Sequence, residues 1–136
     1  MRVKLLNDTK CPERKRTEDA GYDFYLNSDV ILAAKSVTII DTGVCVELPK
    51  GTAGLLAMRS SICKQNLIMQ QPLIDENYRG EIHGMIYNAN DYDISFKKGE
   101  RLYSMYVFPV IQEPIEVVKE LSETDRGASW AGSSGK

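Results

Sequence analysis

The stretch Gln71-Pro72-Leu73-Ile74-Asp75-Glu76-Asn77-Tyr78-Arg79-Gly80-Glu81-Ile82-His83-Gly84-Met85-Ile86-Tyr87-Asn88 decides how this 136-residue chain is read. Leu73 and Ile74 form a short apolar pair that delivers a carboxylate, Asp75. The polar segment Glu76-Asn77-Tyr78-Arg79-Gly80 turns the chain, and a second apolar run follows from Glu81 to Tyr87. Two such runs around a polar, Gly-containing segment predict a β-hairpin. A tip that only reversed the chain would draw on Asn, Asp and Gly. This one holds an acid, an aromatic and an arginine, so it is either a decorated surface turn or a carrier of chemistry.

Outward from the hairpin, short apolar runs alternate with turn signals. Val3 to Leu6 reads as an early strand, residues 7–19 as a polar loop, and Ala20 to Leu26, Val30 to Leu32 and Ser36 to Ile40 as strands. Asp41-Thr42-Gly43 reads as a turn before the alternating Val44, Val46 and Leu48, and Gly54 to Met58 as a compact apolar strand. Residues 62–70 offer the one plausible helical turn. Asp91 to Lys98 is a polar connection, Arg101 to Val110 a Tyr-rich strand, and Pro114 to Leu121 a last strand centred on Val117 and Val118. Turn signals at this spacing, without an amphipathic helix, predict an all-β sandwich, jelly roll or barrel. No internal repeat is present.

Composition narrows the function. The length suits one domain with a single core. The hydrophobic fraction of 43% and charged fraction of 26% are those of a globular protein. A formal net charge of −2 supplies no general attraction to nucleic acid or anionic lipid, so any anionic ligand must be held by local groups. The basic run in Glu13-Arg14-Lys15-Arg16 reads as a solvated surface, diluted by Glu13, Glu18 and Asp19. No apolar run approaches a bilayer span, and Met1-Arg2-Val3-Lys4 leads into no signal-peptide core. Cys11, Cys45 and Cys63 are odd in number and unpatterned, which favours free thiols in a reducing, cytoplasmic setting.

The chain divides into a β-domain over residues 1–121 and an arm over residues 122–136. Ser122 to Lys136 is small, polar and Gly/Ser-rich, the composition of a segment disordered when alone. Yet it contains Arg126 and the single tryptophan, Trp130. Arg126 with Ser133, Ser134 and glycine amides could wrap phosphates, and Trp130 could cover a ring.

Five ordered segments then resemble the motifs of the trimeric deoxyuridine triphosphate nucleotidohydrolases (dUTPases). They are Ala20-Gly21-Tyr22-Asp23-Phe24, Met58-Arg59-Ser60-Ser61, Pro72-Leu73-Ile74-Asp75-Glu76-Asn77-Tyr78-Arg79-Gly80-Glu81, a partial Gly99-Glu100-Arg101-Leu102-Tyr103-Ser104, and Arg126 to Gly135. The resemblance implies a jelly-roll-like, β-clip homotrimer whose active sites are shared between subunits and closed by the arm. It implies hydrolysis of dUTP to dUMP and pyrophosphate, keeping uracil out of DNA and supplying dUMP for thymidylate synthesis.

On that resemblance Asp75 is the general base, and Leu73, Ile74, Tyr78, Met85 and Trp130 surround base and sugar. Arg59, Ser60, Ser61, Ser104, Arg126, Ser133 and Ser134 hold phosphates. Asp23 holds, through water, the Mg²⁺ bound to the triphosphate. Plainer alternatives stay open: Arg59 as a structural ion-pair partner, Asp23 as a turn residue, Ser60 and Ser61 as loop. Arg101 and Glu81 read as structural residues of subunit contacts, and His83 as a sheet residue.

Some positions depart from the family's pattern. Pro72 replaces a glycine, the asparagine usual upstream of the aspartate has no match among Met69, Gln70 and Gln71, and Ser104 stands where a glutamine is usual. Ala131 aligns with the arm's aromatic, and Trp130 stands one place earlier. A related deoxycytidine triphosphate deaminase would need a glutamate where Met85 stands. A non-catalytic dUTPase-like binding or regulatory protein is the other alternative, with a regulatory protein partner expected of a phage-encoded member.

Overall fold

The computed structural model describes residues 1–128 of the chain. In chain order the strands are β1 (Arg2–Leu5), β2 (Gly21–Tyr25), β3 (Val30–Leu32), β4 (Val37–Glu47) and β5 (Thr52–Met58). After one helical turn, α1 (Ser60–Cys63), come β6 (Leu67–Gln70), β7 (Leu73–Ile74), β8 (Glu81–Asn88), β9 (Ile94–Phe96) and β10 (Arg101–Pro109). They form a sheet ordered β1-β4-β8-β6, a sheet ordered β2-β10-β5-β7, and the small pair β3-β9. The ladders are antiparallel throughout. The all-β expectation is met. No helix of the described residues is long and apolar enough to cross a membrane.

Side-chain alternation explains how the sheets meet. In β8, Ile82, Gly84, Ile86 and Asn88 are buried while Glu81, His83, Met85 and Tyr87 face outward or lie half-buried. That is the period-2 pattern of a strand with one face in the core. Phe24, Leu32, Leu56, Ile86, Leu102, Tyr103 and Met105 fill the interior. Each such side chain contributes about 1.5–3 kcal/mol relative to exposure. Asn88, fully buried, is satisfied by donating to Leu32 O (2.8 Å) and Tyr92 O (2.9 Å). A close contact keys the two large sheets together: a Cβ on Gly84 would lie 2.3 Å from Tyr103 Cζ. The aromatic ring therefore occupies the space a side chain would need.

Four details differ from the sequence expectation. The hairpin's arms are β6 and β8, paired from Leu67–Asn88 to Gln70–Met85. Leu73 and Ile74 instead join Leu55 and Gly54 of β5, in the other sheet. Residues 67–70, expected within a helical turn, are thus a strand, because Leu67 has a core position to fill. Asp41-Thr42-Gly43 is a bulge inside one continuous strand rather than a turn, since the register with β8 shifts between Asp41 and Cys45. Side chains close that bulge: Gly43 N donates to Glu81 Oε1 (2.6 Å) and Thr42 Oγ1 donates to Ile82 O (2.6 Å). Gly43 has φ +70°, and a Cβ there would lie 1.9 Å from Thr9 Oγ1.

The fourth difference concerns residues 114–121, which form no strand. Ile111, Ile115, Val117 and Leu121 are 89%, 93%, 94% and 86% exposed. The β-branched pattern is real, but among the described residues no sheet edge takes it.

Candidate active site

Two groups of functional side chains emerge, on different parts of the surface. The first surrounds Asp75. The β6–β8 ladder ends at Gln70–Met85, and the chain then swings away so that β7 pairs with β5. From Gly84 back to Glu81, β8 has no ladder partner on its β6 edge among the described residues. The fork opens a recess of about 230 Å³ whose lining includes Leu73, Ile74, Asp75, Tyr78 and Met85, all expected site residues. Its walls are mostly apolar, and unpaired backbone at such a place offers donors and acceptors to a planar polar ring.

The loop after β7 is tied to itself and to its neighbours. Tyr78 N donates to Asp75 O (3.1 Å), closing the first turn. Arg79 Nη1 donates to Glu76 O (2.7 Å) and Tyr78 O (2.9 Å). Gly51 N donates to Glu76 Oε2 (2.6 Å), and Tyr78 Oη donates to Glu81 O (2.8 Å). Gly80 is required beneath that phenol, since a Cβ there would sit 2.4 Å from Tyr78 Oη. Asp75, exposed at the mouth of the recess, therefore stands on a braced loop.

The second group lines a cleft of about 540 Å³ over β2, β5 and β10. Cross-strand register sets it up, since Ser104 of β10 faces Asp23 of β2 on one side and Ala57 of β5 on the other. Asp23 Oδ1 accepts from Ser104 Oγ (2.5 Å) and pairs with Arg59 Nε (3.3 Å), while Oδ2 accepts from Arg101 Nη1 (2.8 Å). Both carboxylate oxygens are engaged. A metal ion fits Asp23 through an intervening water better than by direct ligation, which would displace a guanidinium. Arg59 and Arg101 keep 29% and 25% of their side chains exposed, so each retains N–H groups for an anion. Ser60 opens α1 and lines the cleft. Ser61 lies beside it in the same turn, exposed, and does not line the cleft.

The sequence expectations divide accordingly. Asp23, Arg59, Ser60 and Ser104 come together, and Leu73, Ile74, Asp75, Tyr78 and Met85 come together, but among the described residues the two groups line separate hollows. Glu81 accepts from Gly43 N at the bulge and also lines the Asp75 recess. Arg101, expected in a subunit contact, lines the cleft beside Asp23. His83 Nδ1 lies 2.9 Å from Asp41 Oδ1, and these two with Glu81 form a grouping whose ligand atoms lie within 4.8 Å of one another. Arg126 is in a surface turn, while Trp130, Ser133 and Ser134 lie outside the described residues. Missed by the sequence reading were Lys15 and Arg16, which also line the cleft. No local signal marked them, since they reach the cleft through the Glu13–Asp23 bridge, which no sequence pattern announces.

The chain is similar to known proteins along nearly its whole length. A family model described as dUTPase matches residues 7–135. The deoxyuridine 5'-triphosphate nucleotidohydrolase of Paramecium bursaria Chlorella virus 1 is 33% identical, over 97% of this chain and 94% of its own. The protein of the same name from Clostridium tetani is 34% identical, over 100% of this chain and 97% of its own. Among solved structures, Staphylococcus bacteriophage 80alpha dUTPase with dUpNHpp has a TM-score of 0.92 at 29% identity, covering 99% of this chain and 98% of that one. A mutant dUTPase from phage phi11 of S. aureus, described with a structural Mg(II) ion, has a TM-score of 0.82 at 26% identity, covering 88% of this chain and 96% of that one.

Proposed function

The chain belongs to the dUTPase family, and from that premise we propose that it hydrolyses dUTP to dUMP and pyrophosphate. The observation behind this reading is the braced Asp75 at the mouth of a forked, largely apolar recess. Uracil would enter the fork and bond to the unpaired backbone of β8, with Tyr78 beneath the sugar. An unmade buried hydrogen bond costs about 1–3 kcal/mol, which disfavours cytosine with its inverted donor pattern. Overpacking by a methyl costs about 1–3 kcal/mol, which disfavours thymine. Met85 lines the recess where a deaminase would need a carboxylate, and a thioether shuttles no proton.

In the reaction Asp75 accepts a proton from water as the water oxygen bonds to the α-phosphorus. The bond from that phosphorus to the α–β bridging oxygen breaks, and pyrophosphate leaves. A positioned base contributes about 10²–10⁴-fold. Arg59, Ser60 and Ser104, with Arg126, Ser133 and Ser134 of the arm, neutralise and position the phosphates; Ser61, outside the cleft lining, is left without that role. Asp23 would hold, through water, a Mg²⁺ ion bound with the substrate, which would supply further charge neutralisation.

A homotrimer completes the site. Two features support it: the base recess and the phosphate cleft are separate on one chain, and the exposed apolar extension from Ile111 to Leu121 suits addition to another copy's sheet. A solution mass of one or two chains by light scattering would refute this assembly. Regulation is a second reading with one observation behind it, since phage dUTPases are described with the 80alpha structure as controlling transfer of virulence genes. A purely regulatory chain would release no pyrophosphate.

The deciding experiment is incubation with dUTP and Mg²⁺, beside dCTP and an Asp75→Asn variant. Pyrophosphate and dUMP are expected from dUTP alone, with a loss of about 10²–10⁴-fold in the variant. Intact dUTP in the wild-type reaction, or full activity without the carboxylate, would overturn the assignment.

A further inference from the structure

We propose that Lys15 and Arg16 form an additional anion-binding rim that engages the terminal phosphates of the substrate. The proposal rests on the triphosphate reading above and extends it to a loop that the sequence alone marks as ordinary solvated surface.

Charge distribution supplies the first argument. The cleft lining includes four cations, Lys15, Arg16, Arg59 and Arg101, against two carboxylates, Asp19 and Asp23. In a chain of net charge −2, this is a local excess of positive charge. Arg59 and Arg101 are both committed to Asp23. Asp19 Oδ2 accepts from the backbone N of Arg16 (3.0 Å). The side chains of Lys15 and Arg16 have no acceptor among the described residues, whereas Lys10 pairs with Glu13 and Arg14 Nη1 donates to Thr17 O (3.0 Å).

Placement is the second argument, because an exposed cation on a wandering loop selects nothing. Here the loop's stem is fastened to β2: Asp23 N donates to Glu13 O (2.9 Å) and Glu13 N donates to Asp23 O (3.2 Å). Tyr25 Oη donates to the Glu13 carboxylate, and the Arg14 guanidinium lies 5.4 Å from the Tyr22 ring centroid. Asp19 N returns to Arg16 O (3.2 Å), closing the loop. The same residue, Asp23, thus anchors the loop through its backbone and organises the inner arginines through its side chain. Lys15 and Arg16 are exposed while Arg59 and Arg101 lie deeper, which assigns the outer pair to the tail of the polyphosphate and leaves the reacting phosphorus alone. The product dUMP lacks that tail, so the rim favours substrate over product.

The test is a Lys15→Ala/Arg16→Ala double variant, with a Lys4→Ala variant on β1 as a control for lost surface charge. The double variant is expected to raise KM for dUTP about tenfold, with kcat within about twofold and dUMP affinity unchanged. Inhibition by inorganic pyrophosphate should weaken by a similar factor, and KM should depend less steeply on salt. A Lys15→Glu/Arg16→Glu variant should exceed the neutral one in effect. An unchanged KM, an equal loss of dUTP and dUMP affinity, or the same effect from Lys4→Ala would overturn the rim. Wild-type protein that leaves dUTP intact would overturn the hydrolase reading instead, and pyrophosphate titration by calorimetry would still test the rim on its own.

Discussion

Replacing Gly84 by alanine probes the contact that keys the two large sheets together. The added Cβ would stand 2.3 Å from Tyr103 Cζ, 2.4 Å from its Oη and 2.8 Å from its Cε1. Carbon contacts are optimal at about 3.5–4.0 Å, so the ring must retreat by about 1 Å. It has little room, because Tyr103 is 1% exposed and its strand is paired on both edges, with β2 and β5. Two opposing effects set the outcome. Alanine restricts the unfolded chain and contributes about 0.4–1 kcal/mol in favour of folding. Overpacking a closed core costs about 1–3 kcal/mol, so a net loss of about 1–2 kcal/mol is expected. Urea unfolding at fixed protomer concentration measures it, since an assembling chain's apparent stability shifts with concentration. In a Tyr103→Leu background the same alanine should cost less, with a coupling energy of about 0.5–3 kcal/mol. A Gly84→Ala protein as stable as wild type, or equal costs in both backgrounds, would refute the keyed packing.

Three further outcomes follow from the same geometry. Burial raises the Tyr103 phenol above its ordinary value of 10.0. Above pH 10 the unfolded chain gives up that proton while the folded chain keeps it, so stability should fall by about 1.4 kcal/mol per pH unit. Tyr103→Phe should remove that slope at little cost near neutrality, because the hydroxyl has no hydrogen-bond partner among the described residues; identical alkaline curves for both proteins would contradict this. Tyr78→Phe deletes the bond to Glu81 O and should cost about 0.5–1.5 kcal/mol, together with a higher KM for dUTP, read from denaturation and steady-state assays. Nucleotide binding should change the fluorescence of the lone Trp130, and Trp130→Ala should raise KM; an unaltered signal and unaltered kinetics would remove that residue from the ring-covering role.

The all-β class was legible because turn signals punctuate short apolar runs along the chain, and because period-2 alternation survives in β8 whatever its partners. Partner choice was not. Leu73-Ile74 and Glu81 to Tyr87 look like two arms of one hairpin, yet the first joins β5 because Gly54 and Leu55 present the edge that Ile74 needs to be buried. Gly43 reads equally well as a turn or a bulge until Glu81 and Thr9 are known to be beside it. At the site, residues within one motif kept together, as in Asp75 with Tyr78. Asp23, Arg59 and Arg101 met only through strand register, which no local pattern encodes. Lys15 and Arg16 escaped notice for a related reason: a basic run on a loop looks the same whether it faces bulk water or a cleft.

The unsheltered ribbon from Ile111 to Leu121 has a bearing on how the protein is made. A newly synthesised copy, fully folded through β10, still displays a β-branched segment with unpaired backbone, the kind of surface that recruits strands indiscriminately. In the proposed trimer, finding sister copies is then part of maturation rather than an event after it. Scarce expression lengthens the solitary period, so insoluble material is expected to depend on how promptly siblings meet as much as on how firmly each one is folded.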